Sequence, residues 1–221
     1  MTREKIGIFG GTFNPIHMGH IQAALEVQRA FSLDKVLFIP SRKPPHKKND
    51  SIAPAHHRMA MVERALLPYP VFVPSSVEIE ARGPSYSIRT LRKLKKAHPG
   101  AWIFFILGVD AFLEINTWRD YDSLLEACHF IVISRPGYRL DEAKKVLGGK
   151  YAARMIPVSG QAALEEGKSE DMKIFLLRIR ALDISAHEIR QKIRTGEPIS
   201  KEVPKPVADY IRDHRLYQRN R

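Results

Sequence analysis

The chain has a single cysteine, Cys128, in 221 residues, which excludes an intrachain disulfide and any cysteine-rich zinc module. Its neighbours Leu124-Leu125-Glu126-Ala127 look like a packed helix end, so the thiol is expected to be buried and inert. Long apolar runs are missing too. The longest, Ala101 to Val109 and Phe130 to Ile133, fall far short of the roughly 20 residues a membrane helix requires, so no bilayer span is expected. Met1-Thr2-Arg3-Glu4-Lys5 leads directly into Ile6-Gly7-Ile8-Phe9 without a long apolar stretch or a small-residue cleavage site. No secretory signal is expected, and the cytoplasm is the default compartment. There is no internal repeat, no low-complexity tract and no linker dividing the chain, so a single domain over residues 1–221 is expected.

What is present is ordinary globular material with a basic surplus. Hydrophobic residues make up 44% and charged residues 27%, enough apolar content to build a sizeable core. Lys and Arg number 36 against 24 Asp and Glu, a formal net charge of +12, which favours an anionic partner: nucleic acid, an acidic membrane or phosphorylated metabolites. Charge alone does not choose among them.

Ile6 to Phe9 is a short apolar run before a Gly-Gly pair; Ile21 to Phe31 then carries Ile21, Ala24, Leu25 and Val27 at helical spacing, and Val36 to Ile39 ends at Pro40. This reads as strand, tight turn, helix, parallel strand. Ser41 to Asp50 is basic, proline-stiffened and aperiodic, hence a loop. Ala55 to Leu67 is helical through Met59, Val62 and Leu66; Val71 to Val73 and Val77 to Ile79 are short strand candidates; Ser87 to Ala97 is a surface helix. Trp102 to Leu107, apolar on both faces, is the candidate for the sheet centre. Phe130 to Ile133, Met155-Ile156 and Ile174 to Leu177 supply further strands. Ser185 caps a helix running to Gly196, and Val207 to Arg215 is a terminal helix. The alternation predicts an α/β fold: a doubly wound, mainly parallel Rossmann-like sheet with helices on both faces and a small helical segment over about residues 183–221.

In such folds ligands sit beyond the carboxyl ends of the strands, which directs attention to Gly10-Gly11-Thr12-Phe13-Asn14-Pro15-Ile16-His17-Met18-Gly19-His20. Neither the Gly-x-Gly-x-x-Gly dinucleotide fingerprint nor a Gly-Lys-Ser/Thr phosphate loop is spelled here. Two glycines permit close backbone approach, and a helix starting near His17 would aim free amides and its positive end at the turn, which favours phosphate. His17 and His20 face one side of the first turn, with Gly19 leaving room for a bulky anion. Competing readings are a zinc site or two solvent-exposed or capping histidines. Metalloprotease histidines stand four apart beside a Glu, and no third ligand is evident. The position directly after a strand and a Gly-Gly turn weakens the other reading.

The Gly10 to Pro15 string with His17-x-Gly19-His20 resembles the signature of the nucleotidyltransferase superfamily, and Ser185-Ala186-His187-Glu188-Ile189-Arg190 resembles its second signature, at the start of a late helix. Within the superfamily the chain is most similar to the bacterial nicotinate-nucleotide adenylyltransferase family, through Pro44-Pro45-His46-Lys47, Gly83 to Ser87, Gly108-Val109-Asp110, Thr117-Trp118, Arg135-Pro136-Gly137 and His214-x-Leu216-Tyr217. The resemblance implies adenylyl transfer from ATP to nicotinate mononucleotide, giving deamido-NAD and pyrophosphate. It implies that His17 and His20 meet the ATP phosphates, with His20 nearer the α-phosphate, and that Arg190, the Ser185 helix end and His187 meet the β and γ phosphates. Lys47 would join from its loop, and the Gly10, Gly11, Thr12 and Phe13 backbone would cradle the adenylate. For the acceptor it implies Asp110 on a ribose hydroxyl, Trp118 stacked on the pyridine ring, amides near Ser87 and Trp118 on the carboxylate, and Arg135 on the same rim. Taken alone, Asp110 reads equally as a helix cap and Trp118 as a core residue. Mg²⁺ is expected to arrive on ATP phosphates and water, with no protein side chain as ligand, because no carboxylate cluster is visible.

Three positions depart from the family pattern: His187 stands for a usual Thr, Arg89 for a usual Asp, and Asn14 for a frequent Asp. A sibling enzyme acting on nicotinamide mononucleotide or pantetheine phosphate is the nearer rival. A non-catalytic nucleic-acid binder, suggested by the charge and by Arg212, Arg215, Arg219 and Arg221, is the more distant one. The expected partners are thus ATP and nicotinate mononucleotide, with no nucleic acid and no membrane, and a homo-oligomer is left open.

Overall fold

The computed structural model describes residues 3–43, 52–158 and 171–218. A seven-stranded, wholly parallel sheet runs in the order β3-β2-β1-β4-β5-β7-β6, with β1 (Lys5–Gly11), β2 (Lys35–Pro40), β3 (Phe72–Pro74), β4 (Trp102–Gly108), β5 (His129–Ile133), β6 (Met155–Val158) and β7 (Ile174–Leu177). The helices are α1 (Met18–Phe31), α2 (Ala55–Leu66), α3 (Ser87–Ala97), α4 (Val109–Phe112), α5 (Tyr121–Ala127), α6 (Ala143–Val146), α7 (Gly149–Ala152), α8 (Ala186–Thr195) and α9 (Lys205–Asp213). Parallel strands need helical crossovers, and these cover both sheet faces, which is the doubly wound arrangement expected.

Strand alternation assigns each face its core. Phe9, Phe38, Phe104, Ile106 and Phe175 point to the face covered by α1, α2 and α9, whereas Ile8, Ile39, Phe105, Leu107 and Phe130 point to the face of α3 and α5. β4 is the middle strand of the seven and buries five consecutive residues, Ile103 to Leu107, as its two-sided apolarity demands. Burial of Cys128 pushes its thiol up to about 12, so it stays protonated.

Two expectations need correcting. Val77 to Ile79 forms no strand: Glu80 N–H bonds to the Ser76 carbonyl and Ala81 N–H to that of Glu78, so the backbone folds into turns that bring the Glu78 carboxylate to the Thr90 hydroxyl, 2.7 Å away. The buried stripe of α2 runs through Arg58, Met61, Val62, Ala65 and Leu66 instead of through Met59. An arginine thus occupies a core position.

The strand order reverses between β1 and β4: β2 and β3 lie to one side, β5 to β7 to the other. Chain segments leaving β1 and β4 therefore diverge to opposite faces and open a crevice at their carboxyl ends. The Gly10 to His20 string leaves β1 there, and Gly108 to Asp110 leaves β4.

Candidate nucleotide site

The loop after β1 is held in an unusual conformation. Phe13 has φ 46°, a left-handed value that a bulky residue adopts only when its surroundings impose it, and the Asn14-Pro15 bond is cis. The Phe13 ring packs at 5.7 Å from Phe38, 6.0 Å from Phe9 and 5.0 Å from His20. A Cβ on Gly11 would press on the Phe13 ring at 3.1 Å, whereas one on Gly10 would project into open space. The first glycine leaves the strand end uncovered; the second makes room for the fold.

His17 is the N-cap of α1, extended at φ −145°, and its N–H donates to His20 Nδ1 at 3.3 Å. That bond occupies the Nδ1 lone pair of His20, so the neutral ring carries its proton on Nε2. The two rings lie 3.7 Å apart between centroids. The first turn of α1 contains no acidic residue to compete with an anion. Burial, helped by the positive charge of Arg135, lowers His17 from 6.5 to about 4, so at neutral pH it is an uncharged imidazole, its Nδ1 buried without a partner.

Two details differ from expectation. The Met18 amide is not available to a ligand, because it bonds to the Glu202 carbonyl at 2.8 Å. The space at Gly19 serves the protein: a Cβ there would lie 3.1 Å from both Cε1 and Nδ1 of the His17 ring. The missing side chain lets His17 fold over the helix start.

The second motif meets the first. Ser185 caps α8 by accepting the Glu188 N–H at 3.2 Å, and His187 is exposed on the first turn. Arg190 Nη1 bonds to the carbonyls of Asn14 and Ala186, each at 2.9 Å, while its Nε is buried without a partner. On the β4 side Asp110 pairs with Arg135, and the other oxygen of Asp110 is buried and unpartnered. The pair spans the ends of β4 and β5, and since Gly108 is the N-cap of α4, with no side-chain cap bond, Asp110 is not a helix cap.

Ser87 opens α3 behind Tyr86, whose ring lies under two guanidiniums, Arg89 at 5.3 Å and Arg119 at 5.2 Å. Trp118 is half-buried, edge-on to Phe105 at 6.2 Å, and so is not a plain core tryptophan. Lys47 lies outside the described residues. Among the described residues no group of three or more His, Cys, Asp or Glu could hold a metal ion.

Sequence reasoning missed Arg58 and Ser41 beside this loop, and the contacts made by the Asn14 side chain. Arg58 is 1% exposed and donates from Nε to Ala53 O, from Nη1 to Thr12 O at 2.7 Å and from Nη2 to Arg42 O. Its place three and four residues before Met61 and Val62 was the available signal. The Ser41 hydroxyl, just past β2, is buried without a partner.

Residues 8–192 match the model of the cytidylyltransferase-like family. A protein of Desulfatibacillum aliphaticivorans named "probable nicotinate-nucleotide adenylyltransferase" is 42% identical, covering 96% of this chain and 99% of its own. One of the same name from Symbiobacterium thermophilum is 37% identical over 97% and 96%. Among solved structures, the Plasmodium falciparum nicotinic acid mononucleotide adenylyltransferase, in complexes with APC and with NaAD, superposes with a TM-score of 0.71 at 20% identity, covering 97% of this chain and 98% of that one. That likeness speaks for the fold; the sequence matches, spanning both histidine and arginine motifs, show that the chain belongs to the nicotinate-nucleotide adenylyltransferase family of cytidylyltransferase-like proteins.

Proposed function

We propose that this chain transfers the adenylyl group of ATP to nicotinate mononucleotide, releasing pyrophosphate, with the crevice between β1 and β4 as its active site. The observation that carries the reading is the convergence there of His17, His20 and Arg190 from two distant motifs, with Arg190 bonded to the very loop that presents the histidines.

The attacking 5′-phosphate oxygen is already ionised at neutral pH, so the reaction requires neither a general base nor an enzyme nucleophile. What it requires is alignment of two polyanions and donors aimed at the charge growing on the α-phosphate and the leaving group. His20 presents Nε2–H to the α-phosphate. His17, kept neutral by burial, donates without carrying a charge whose hydration would have to be stripped away. Arg190 supplies its cation to the outer phosphates. A preorganised donor of this kind is worth about 3 kcal/mol of transition-state stabilisation. The free Asp110 oxygen accepts a ribose hydroxyl, and Trp118 with the start of α3 receives the pyridine ring and its carboxylate. The phosphate-facing donors are imidazole and guanidinium, which suit phosphate oxygens and do not ligate a hard cation; Mg²⁺ therefore comes with the ATP, held by phosphate oxygens and water.

The decisive experiment is pyrophosphate release from ATP with nicotinate mononucleotide, nicotinamide mononucleotide and pantetheine phosphate offered separately. Nicotinate mononucleotide should give the highest kcat/KM. A higher value with either of the others would assign the chain to a sibling reaction.

A further inference from the structure

The Asn14 side chain joins parts of the chain that are far apart in sequence. Its Oδ1 accepts two hydrogen bonds, from the Ala53 N–H at 2.9 Å and from the Tyr217 hydroxyl at 2.8 Å, while its backbone carbonyl accepts Arg190 Nη1 at 2.9 Å. An amide oxygen has two lone pairs, and here both are used. Arg58 closes the ring of contacts by donating to Thr12 O and Ala53 O. Among the described residues neither Arg58 nor Arg190 forms an ion pair, so the loop is surrounded by two guanidiniums held on carbonyls and by one phenol.

The backbone around the phenol is as constrained as the loop it reaches. Arg215 has φ 50° and Tyr217 φ 64°, left-handed values at two residues with side chains, in the turn that follows α9. With Phe13, three of the five non-glycine residues with positive φ among the described residues lie at the two ends of the Tyr217–Asn14 contact. Unfavourable backbone of this kind persists where surrounding contacts over-determine it. Leu216, between the two, packs on the core and donates its N–H to the Ile211 carbonyl at 3.0 Å. The turn is built to deliver the Tyr217 hydroxyl to Asn14.

We propose that Tyr217 is a positioning residue for ATP: its hydroxyl locks the Asn14 side chain, and so fixes both the loop leading to His17 and the carbonyl that aims Arg190. It rests on the reading of this crevice as the ATP site. Tyr217 touches no reacting atom and acts through Asn14.

The test is ATP binding by calorimetry and steady-state kinetics on Tyr217→Phe, which keeps the ring and removes the bond. Loss of one neutral hydrogen bond that sets ligand geometry should weaken ATP, in Kd and in KM, about five- to tenfold, with KM for nicotinate mononucleotide held within about twofold. A tail that merely adds stability would lower the unfolding temperature without that split. Asn14→Ala should lose ATP affinity as well, and adding Tyr217→Phe to it should cost nothing further. In an Asn14→Asp background, which keeps an acceptor, Tyr217→Phe should still cost severalfold. Wild-type ATP affinity in Tyr217→Phe, or independent effects in the Asn14→Ala double variant, would overturn the proposal. Weakened ATP binding in a chain that does not use nicotinate mononucleotide would sink the acceptor reading and leave the positioning role standing.

Discussion

His17 does two things that pull in opposite directions. In the proposed reaction it has to meet a polyanion, yet it is 6% exposed, and burial with the Arg135 charge holds it down at about 4. In the unfolded chain the same ring titrates near 6.5. Between these two values the unfolded state binds a proton that the folded state refuses, so stability rises with pH across the window. This stability is present in full above about 6.5 and falls away as the pH drops towards 4, by which point the loss amounts to about 3 kcal/mol. Thermal unfolding of the wild type and of His17→Asn between pH 7 and pH 4 checks this. The wild type should lose stability more steeply than the variant, and parallel curves would mean that the ring is not buried in its neutral form. At this scale the sequence disclosed the histidine pair but not its asymmetry. That one ring would be buried and the other half-exposed depends on Phe13 turning left-handed beneath His20, which no spacing announces.

At the scale of the element, the first turn of α1 shows how a backbone choice becomes chemistry. Gly19 is the second residue of α1, where glycine costs less than the roughly 1 kcal/mol it costs in a helix interior, and a Cβ there would push the His17 ring from 3.1 Å. Gly19→Ala should therefore change the unfolding temperature by only a few degrees, while kcat falls about tenfold because His17 moves by tenths of an ångström from its donor position. Parallel measurement of melting and turnover separates the two effects; unchanged kcat would show that the ring has room to yield. The elements themselves were mostly legible. α3 and β4 follow directly from apolar spacing, and Ser185 and Gly196 mark the two ends of α8. The failures share a cause. Val77 to Ile79 has strand composition but sits past a three-residue edge strand, where tertiary demand for the Glu78 carboxylate at Thr90 bends the backbone into turns. Met59 took the place of Arg58 in the expected stripe of α2 because composition cannot tell that three carbonyls wait for a guanidinium inside.

Across the whole molecule, the fold class and the crevice could be read from alternating strands and helices, but the joining of the crevice to the carboxyl-terminal turn could not, since Tyr217 and Asn14 are 203 residues apart. The charge surplus belongs to this scale as well. Both substrates are anions, and a protein of formal charge +12 draws them in from beyond hydrogen-bond range. Part of that surplus is spread over α3, which exposes Arg89, Arg92, Lys93, Lys95 and Lys96, contains no acid and begins behind Tyr86. Attraction over such distances is cut by salt, because the screening length shrinks to about 10 Å at 0.1 M, whereas donors in contact with phosphate act well inside it. Raising KCl from about 20 to about 300 mM should therefore lower kcat/KM for ATP at least about threefold and change kcat by less than about twofold. Arg92→Glu combined with Lys96→Glu should lower kcat/KM at low salt and converge with the wild type at high salt, since neither side chain needs to touch the ligand for its field to act. A kcat/KM that ignores salt would mean that capture of ATP is governed by the contact donors alone, and that the basic face of α3 serves some purpose other than drawing anions to the crevice.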